Sequence, residues 1–279
     1  MNATTTAMLQ VPGAELYYEV RGDGPLMVIG QSGEGDARRT ADLVDRLAGH
    51  YTVVTYDRRG LSRTKVDDPS IPVTPAMHAE DVHHLLSALT DEPALMLGCS
   101  LGALYGLHLA AAHPGQVAAL IAHDPATPGL LNAHDRADIE RRLGEIENAY
   151  RVDGWRAAMP LAAALTGLDP ARIETEAGVI AAPMTEERAA NFGYYLANDI
   201  PQCRMDTLGA AEVRAAAAHT RIIPAAGKDS KNAWNHQCAV ELAALLGRPV
   251  EEFPGGHNGN TSFPTGFAAR VHELFTLTS

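Results

Sequence analysis

The five residues Gly98-Cys99-Ser100-Leu101-Gly102 constrain this chain more than any other stretch, because of what flanks them. Before them, Ala94-Leu95-Met96-Leu97 is a short apolar run. After them, Ala103-Leu104-Tyr105-Gly106-Leu107-His108-Leu109-Ala110 is helix-forming. A strand that becomes a helix over five residues turns too sharply for side chains at its two ends, hence glycine at 98 and 102. The serine hydroxyl is lifted above the sheet edge, as in a nucleophile elbow. There it meets the positive end of the following helix, and the Leu101 N–H can help hold an oxyanion.

The rest of the chain supplies the sheet that such a turn needs. Leu9 to Val20 alternates loosely around Pro12-Gly13 and reads as an edge hairpin. Leu26-Met27-Val28-Ile29 and Tyr51 to Tyr56 read as strands. Between them lie the glycine-rich loop from Gln31 to Asp36 and a helix with Ala41, Leu43, Val44 and Leu47 on roughly one face. A helix to Leu89, the elbow strand and helix, and a strand Val117 to Ile121 follow. This alternation predicts an α/β fold, a mostly parallel eight-stranded sheet with helices on both faces. From about Asn132 to Thr220 the chain reads as helices only: Asp135 to Tyr150, Trp155 to Leu165 and Thr185 to Asn198. We take residues 131–219 as an inserted helical cap, and 1–130 with 220–279 as the core. The α/β rhythm resumes with strands Arg221 to Ala225 and Val250 to Phe253 and their helices, about Asn232 to Leu246 and Pro264 to Phe275.

Acyl transfer by a serine needs a base, and the base needs an orienting acid. Both should follow the serine at strand ends. His257 lies after the strand ending at Phe253 and is approached by Gly255-Gly256, which permits a sharp turn. Asp229, in Ala226-Gly227-Lys228-Asp229, is the preferred acid. Asp124 is its rival, because the strand before the cap also ends at the catalytic edge. Ser32, or Gln31 if the register shifts by one, is the candidate second backbone donor for the oxyanion. In the cap, Trp155, Met159, Phe192, Tyr194 and Tyr195 are candidate pocket lining, although each is individually better suited to cap core.

Other readings are weaker. Asp and Glu outnumber Lys and Arg by 34 to 22, a formal charge of −12 that repels nucleic acid and anionic membranes. The three cysteines, Cys99, Cys203 and Cys238, form no C-x-x-C and suit a reducing compartment. Met1 to Thr6 shows no signal-peptide pattern and no stretch is long enough to span a bilayer. The expectation is a soluble cytoplasmic protein with a small-molecule substrate, and self-association is left open. His78, His83 and His84 share a helix, but adjacent residues face different ways, so no metal site is expected. Gly33-Glu34-Gly35 breaks the dinucleotide spacing at Arg38.

Over nearly its whole length the chain resembles the α/β-hydrolase superfamily. Tyr56-Asp57-Arg58-Arg59-Gly60-Leu61-Ser62 is similar to the turn after that superfamily's fourth strand. Gly98 to Gly102 matches the elbow, Ala226 to Asp229 the acid turn and Gly255-Gly256-His257 the histidine turn. Gly30-Gln31 replaces the His-Gly that many members carry at the oxyanion loop. Haloalkane dehalogenases and epoxide hydrolases place aspartate where Ser100 stands, so an alkyl-ester mechanism is not expected. The resemblance implies a cofactor-free serine hydrolase of an ester, lactone or thioester, with Ser100, His257 and Asp229 as its triad. Triad-bearing C–C hydrolases, perhydrolases and biosynthetic cyclases are alternatives within enzymes. A slow-turnover receptor or signalling module is the alternative outside them.

Overall fold

The computed structural model describes residues 4–169, 174–180 and 182–277. The start of the N-terminal stretch read for a signal pattern and a small part of the predicted cap fall outside these. β1 (Thr5–Val11) and β2 (Ala14–Arg21) form the expected hairpin, closed by Pro12-Gly13 with Gly13 at φ +76°. Then come β3 (Leu26–Gly30), α1 (Ala41–Leu47), β4 (Thr52–Tyr56), β5 (Lys65–Val66) and α2 (Pro75–Leu89). α2 starts where the Thr74 side chain accepts from the Met77 N–H and Pro75 occupies a first-turn position that needs no N–H. β6 (Ala94–Cys99), α3 (Leu101–Ala112) and β7 (Val117–His123) complete the first half.

The sheet order is β1-β2-β4-β3-β6-β7, continued by β8 (Arg221–Gly227) and β9 (Glu251–Phe253). The pairs from β4 onward are parallel and the β1-β2-β4 end is antiparallel. The ninth strand is β5, two residues beside β2. It is too short to produce a periodic signal, which is why the sequence pattern predicts eight. Strand alternation divides the core into two layers. Val28, Met96, Leu120 and Ile222 face one side, while Met27, Leu97, Ile121 and Ile223 face the other.

Between β7 and β8 the chain forms α4 (Ala133–Asp153), α5 (Trp155–Leu165), α6 (Glu186–Tyr194), a π-helical turn (Tyr195–Asp199), α7 (Ile200–Arg204) and α8 (Ala210–Ala216). α4 begins where Asn132 accepts the N–H groups of His134 and Asp135, and it ends at Gly154, φ +79°. α5 and α7 each pack on α4, whereas α8 lies against α3 and α9 (Trp234–Leu246) of the core. α10 (Gly259–Ser262) and α11 (Pro264–Thr276) close the chain, with α11 beside α1. A buried ion pair ties the helical segment to the core. The Arg58 guanidinium, on the turn after β4, lies 2.7 Å from the Asp199 carboxylate, each side chain about 1% exposed.

Candidate active site

Ser100 sits between β6 and α3 at φ 55°, ψ −114°. Among the described residues only Ser62, Ser100 and Asp124 are non-glycines with positive φ, a conformation that typically costs about 1–3 kcal/mol. Close packing enforces the turn. A Cβ on Gly98 would lie 2.6 Å from the Ala103 Cα, and one on Gly102 only 2.1 Å from the Gly30 carbonyl oxygen. The glycine pattern therefore does two things: it permits the elbow, and it lets the loop after β3 press directly against it. Gly30 pairs with Gly98 across the sheet, so Gln31 and Ser32 leave β3 beside Ser100. Gln31 is buried and its Nε2 donates to Thr40 Oγ1 at 2.6 Å, which fixes the loop. In the first turn of α3 the Ala103 N–H donates to the Ser100 carbonyl at 3.1 Å, whereas the Leu101 N–H has no acceptor within the helix.

Register brings the second group to Ser100. Cys99 pairs with His123 of β7, and the Ser100 N–H donates to the His123 carbonyl at 2.9 Å. Asp124 follows at once, fully buried, its backbone N–H on the Ala225 carbonyl of β8. Its two carboxylate oxygens are both used. Oδ2 lies 3.2 Å from Nδ1 of His257, and Oδ1 accepts from the Ser230 hydroxyl at 3.0 Å. Ser100 and His257 are themselves only 8% and 6% exposed. Burial alone would raise the Asp124 pKa, but the opposing influences of His123, His257 and Ser230 win and hold it below the usual carboxylate range. His123 is itself pushed down to about 4, chiefly by burial, so it is neutral near pH 7. The two hydrogen bonds are then what keep the carboxylate ionised.

Asp229 is elsewhere. Its side chain is 55% exposed and 4.0 Å from the Lys228 ammonium, while its N–H bonds the Gly255 carbonyl. The sequence preference for Asp229 is therefore corrected: the carboxylate against His257 is that of Asp124. β8 runs two residues beyond the predicted end, to Gly227. A Cβ on Gly227 would meet the Gly256 carbonyl at 2.5 Å, so this strand end packs tightly on the histidine turn. The delayed turn sends Asp229 outward and Ser230 inward.

Helices α4, α5, α7 and α9 close over Ser100. Leu143, Ile146, Leu165, Tyr195, Ile200 and Trp234 line the enclosed space, which amounts to about 10 Å³, room for about one water. The site is shut in this conformation. Larger surface grooves, about 360 Å³ beside Lys228 and Arg270 and about 580 Å³ beside Tyr150 and Tyr194, are lined by neither Ser100 nor His257. Of the expected lining residues only Tyr195 reaches the Ser100 cavity. Trp155 stacks on Phe192 with ring centroids 6.2 Å apart, Met159 packs against the core, and Tyr194 lines the outer groove. The sequence reading missed Trp234, whose only local signal is its place at the start of the helix after β8. Cys99 is buried behind the elbow, where desolvation raises its thiol far above the ordinary range, consistent with a packing role. Among the described residues no cluster of His, Cys, Asp or Glu could hold a metal ion, and no helix is long and apolar enough to cross a membrane.

The family model described as "Alpha/beta hydrolase family" matches residues 30–270, and the chain belongs to that family. An uncharacterized hydrolase, YraK of Bacillus subtilis (strain 168), is 32% identical over 268 residues, covering 95% of this chain and 94% of that protein. A hydrolase from Pseudomonas aeruginosa PA01 of solved structure superposes with a TM-score of 0.68 at 24% identity, covering 98% of both chains. A serine hydrolase involved in carbazole degradation, CarC, gives a TM-score of 0.64 at 18% identity, covering 99% of this chain and all of that one. At such identities the likeness to the solved structures is one of fold.

Proposed function

We propose that this hydrolase is a serine enzyme that cleaves an ester, lactone or thioester of a small to medium apolar compound, with Ser100, His257 and Asp124 as its triad. The hydrogen bond between His257 and the buried Asp124 carboxylate, one residue past the strand partner of the elbow, is the observation that carries this reading. Asp124 accepts the Nδ1 proton of His257, so the neutral imidazole presents an unprotonated Nε2. Ser100 Oγ attacks the substrate carbonyl carbon as Nε2 takes its proton. Negative charge gathers on the carbonyl oxygen and is stabilised by the Leu101 N–H and by the N–H of Ser32 or Gln31, each such donor typically worth ~3 kcal/mol. His257 then returns the proton to the leaving oxygen or sulfur as the bond to the carbonyl carbon breaks. A water deprotonated by His257 releases the acid and restores Ser100.

The apolar walls around Ser100 support an apolar acyl group. Serine at the elbow disfavours epoxide and haloalkane chemistry, which uses an aspartate there. The test is covalent labelling by a fluorophosphonate followed by turnover of p-nitrophenyl acetate. Labelling that vanishes in Ser100→Ala, with steady turnover, is expected. Folded protein that does not label overturns the reading, and a burst that stops favours a slow-turnover receptor.

A further inference from the structure

Asn235, in the first turn of α9, is 1% exposed and lines the same cavity as Ser100. Neither its Oδ1 nor its Nδ2 has a hydrogen-bond partner. Two other polar groups of the wall are met within the protein: the Thr166 hydroxyl lies 3.1 Å from the Ala162 carbonyl, and the Cys203 thiol is directed to the Ala126 carbonyl. A buried primary amide with both ends unmet carries a large desolvation penalty, and nearly all such groups in folded proteins have a partner. The surrounding wall is apolar, from Leu101, Leu143, Ala162, Leu165 and Trp234, and contains no Lys, Arg, Asp or Glu. The missing partner is therefore neutral and comes with whatever fills the space next to Ser100.

We infer that Asn235 is a specificity determinant that hydrogen-bonds a neutral polar group, a hydroxyl or a carboxamide, on the acyl part of an otherwise apolar substrate. This deepens the serine-hydrolase reading and rests on it for the word "acyl". A hydroxyl can accept from Nδ2 and donate to Oδ1. A carboxamide does both at once through two parallel hydrogen bonds. A carboxylate has no donor for Oδ1 and no cation to neutralise it in this wall. A pocket built around such a bond rejects the analogue that lacks the group, because the enzyme amide is then left unpaired.

The experiment uses methyl esters of six-carbon acids, plain or with a hydroxyl or a carboxamide substituent placed at successive positions along the chain, followed by proton release. The readout is the ratio of kcat/KM for substituted over plain ester within one protein. We expect wild type to favour one substituted position by about 10-fold or more, and Asn235→Leu to bring that ratio to about one. Asn235→Asp keeps the acceptor and loses the amide donor, so it should retain a hydroxyl preference and lower a carboxamide preference, because the carboxamide oxygen loses its donor while the N–H bond remains. A wild-type walk with no preferred position overturns the proposal, whether or not the variants fold. So does an unchanged ratio in Asn235→Leu that still labels at Ser100, the sign that Asn235 holds only a water. Hexanamide binding to Ser100→Ala, weakened by a further Asn235→Leu, is read by calorimetry without turnover. If no ester is cleaved yet this binding behaves as expected, the hydrolase reading fails while the Asn235 contact stands. If esters are cleaved but hexanamide binds both proteins alike, the contact fails alone.

Discussion

The sharpest prediction compares Asp124→Asn with Asp229→Asn. Asp124 is fully buried, with one oxygen 3.2 Å from His257 Nδ1 and the other on the Ser230 hydroxyl. Asparagine is nearly isosteric, so its carbonyl can still accept from Ser230. Its amide then faces Nδ1 as a donor, which obliges Nδ1 to be the acceptor and places the ring proton on Nε2. That tautomer cannot take the serine proton, and the charge that stabilises the imidazolium is gone as well. A wrong-tautomer change of this kind is associated with a loss of about 10⁴ in kcat, about 5.5 kcal/mol at 1.36 kcal/mol per factor of ten. Asp229 is 55% exposed and faces Lys228 at 4.0 Å. Its replacement should leave kcat within about twofold and stability within ~0.5 kcal/mol. Steady-state hydrolysis of p-nitrophenyl acetate, with the rate of fluorophosphonate labelling beside it, measures both. A large loss in Asp229→Asn with Asp124→Asn nearly normal would refute the assignment.

Three further outcomes follow from packing and charge. His123 is buried edge-on against Phe253 and Phe267 with both ring nitrogens unpartnered, and burial lowers its pKa from 6.5 to about 4. The unfolded chain therefore binds a proton that the native chain refuses between pH 6.5 and 4, so stability should fall by ~3 kcal/mol as pH drops through that window. Asp124, with its pKa depressed, contributes stability that is fully present well above about pH 3.9 and is lost from about pH 5 downward as the unfolded carboxyl takes up its proton, so it adds slope only at the acid end of this window. Denaturant melts across this range should be flatter in His123→Leu by ~1.4 kcal/mol per pH unit, and parallel curves would contradict the assignment. Gly102→Ala places a Cβ 2.1 Å from the Gly30 carbonyl; it should lower stability by about 1–3 kcal/mol and slow fluorophosphonate labelling, and a variant with unchanged melting and labelling would count against the pressed-loop geometry. Asp199→Ala strands the buried Arg58 guanidinium, which would keep only the Gly33 carbonyl and the Tyr105 ring, 5.9 Å away, beside it. A loss of about 3–5 kcal/mol, seen as a melting temperature lower by roughly 10 °C, is expected, and an unchanged melt would show that the pair does not hold the helical segment to the core.

How far the site was legible depended on how local each constraint is. The elbow was legible because glycine at 98 and 102, a strand before and a helix after all act within a few residues of Ser100. His257 was legible for a similar reason, since Gly255, at φ +78°, marks a backbone turn that few side chains tolerate. The acid was not. Asp124 and Asp229 both follow strands at the same sheet edge, and their order in the chain is compatible with either role. The pocket lining was not legible either: Trp155 and Phe192 satisfy each other by stacking, whereas Trp234 and Asn235 enter the cavity from a core helix.

Periodicity and turn chemistry in the chain alone determined the α/β alternation, the elbow with its raised serine, and the helical segment between β7 and β8, because these follow from backbone sterics and burial within short windows. Tertiary structure alone decided which carboxylate meets the histidine, how completely the helices shut the site, and which side chains wall it. Those outcomes turn on where β8 stops, on the register that sets Cys99 beside His123, and on helices packed from distant parts of the chain. Such distances are fixed by packing between residues more than a hundred positions apart, as in the Asp124–His257 bond, and no local pattern encodes them.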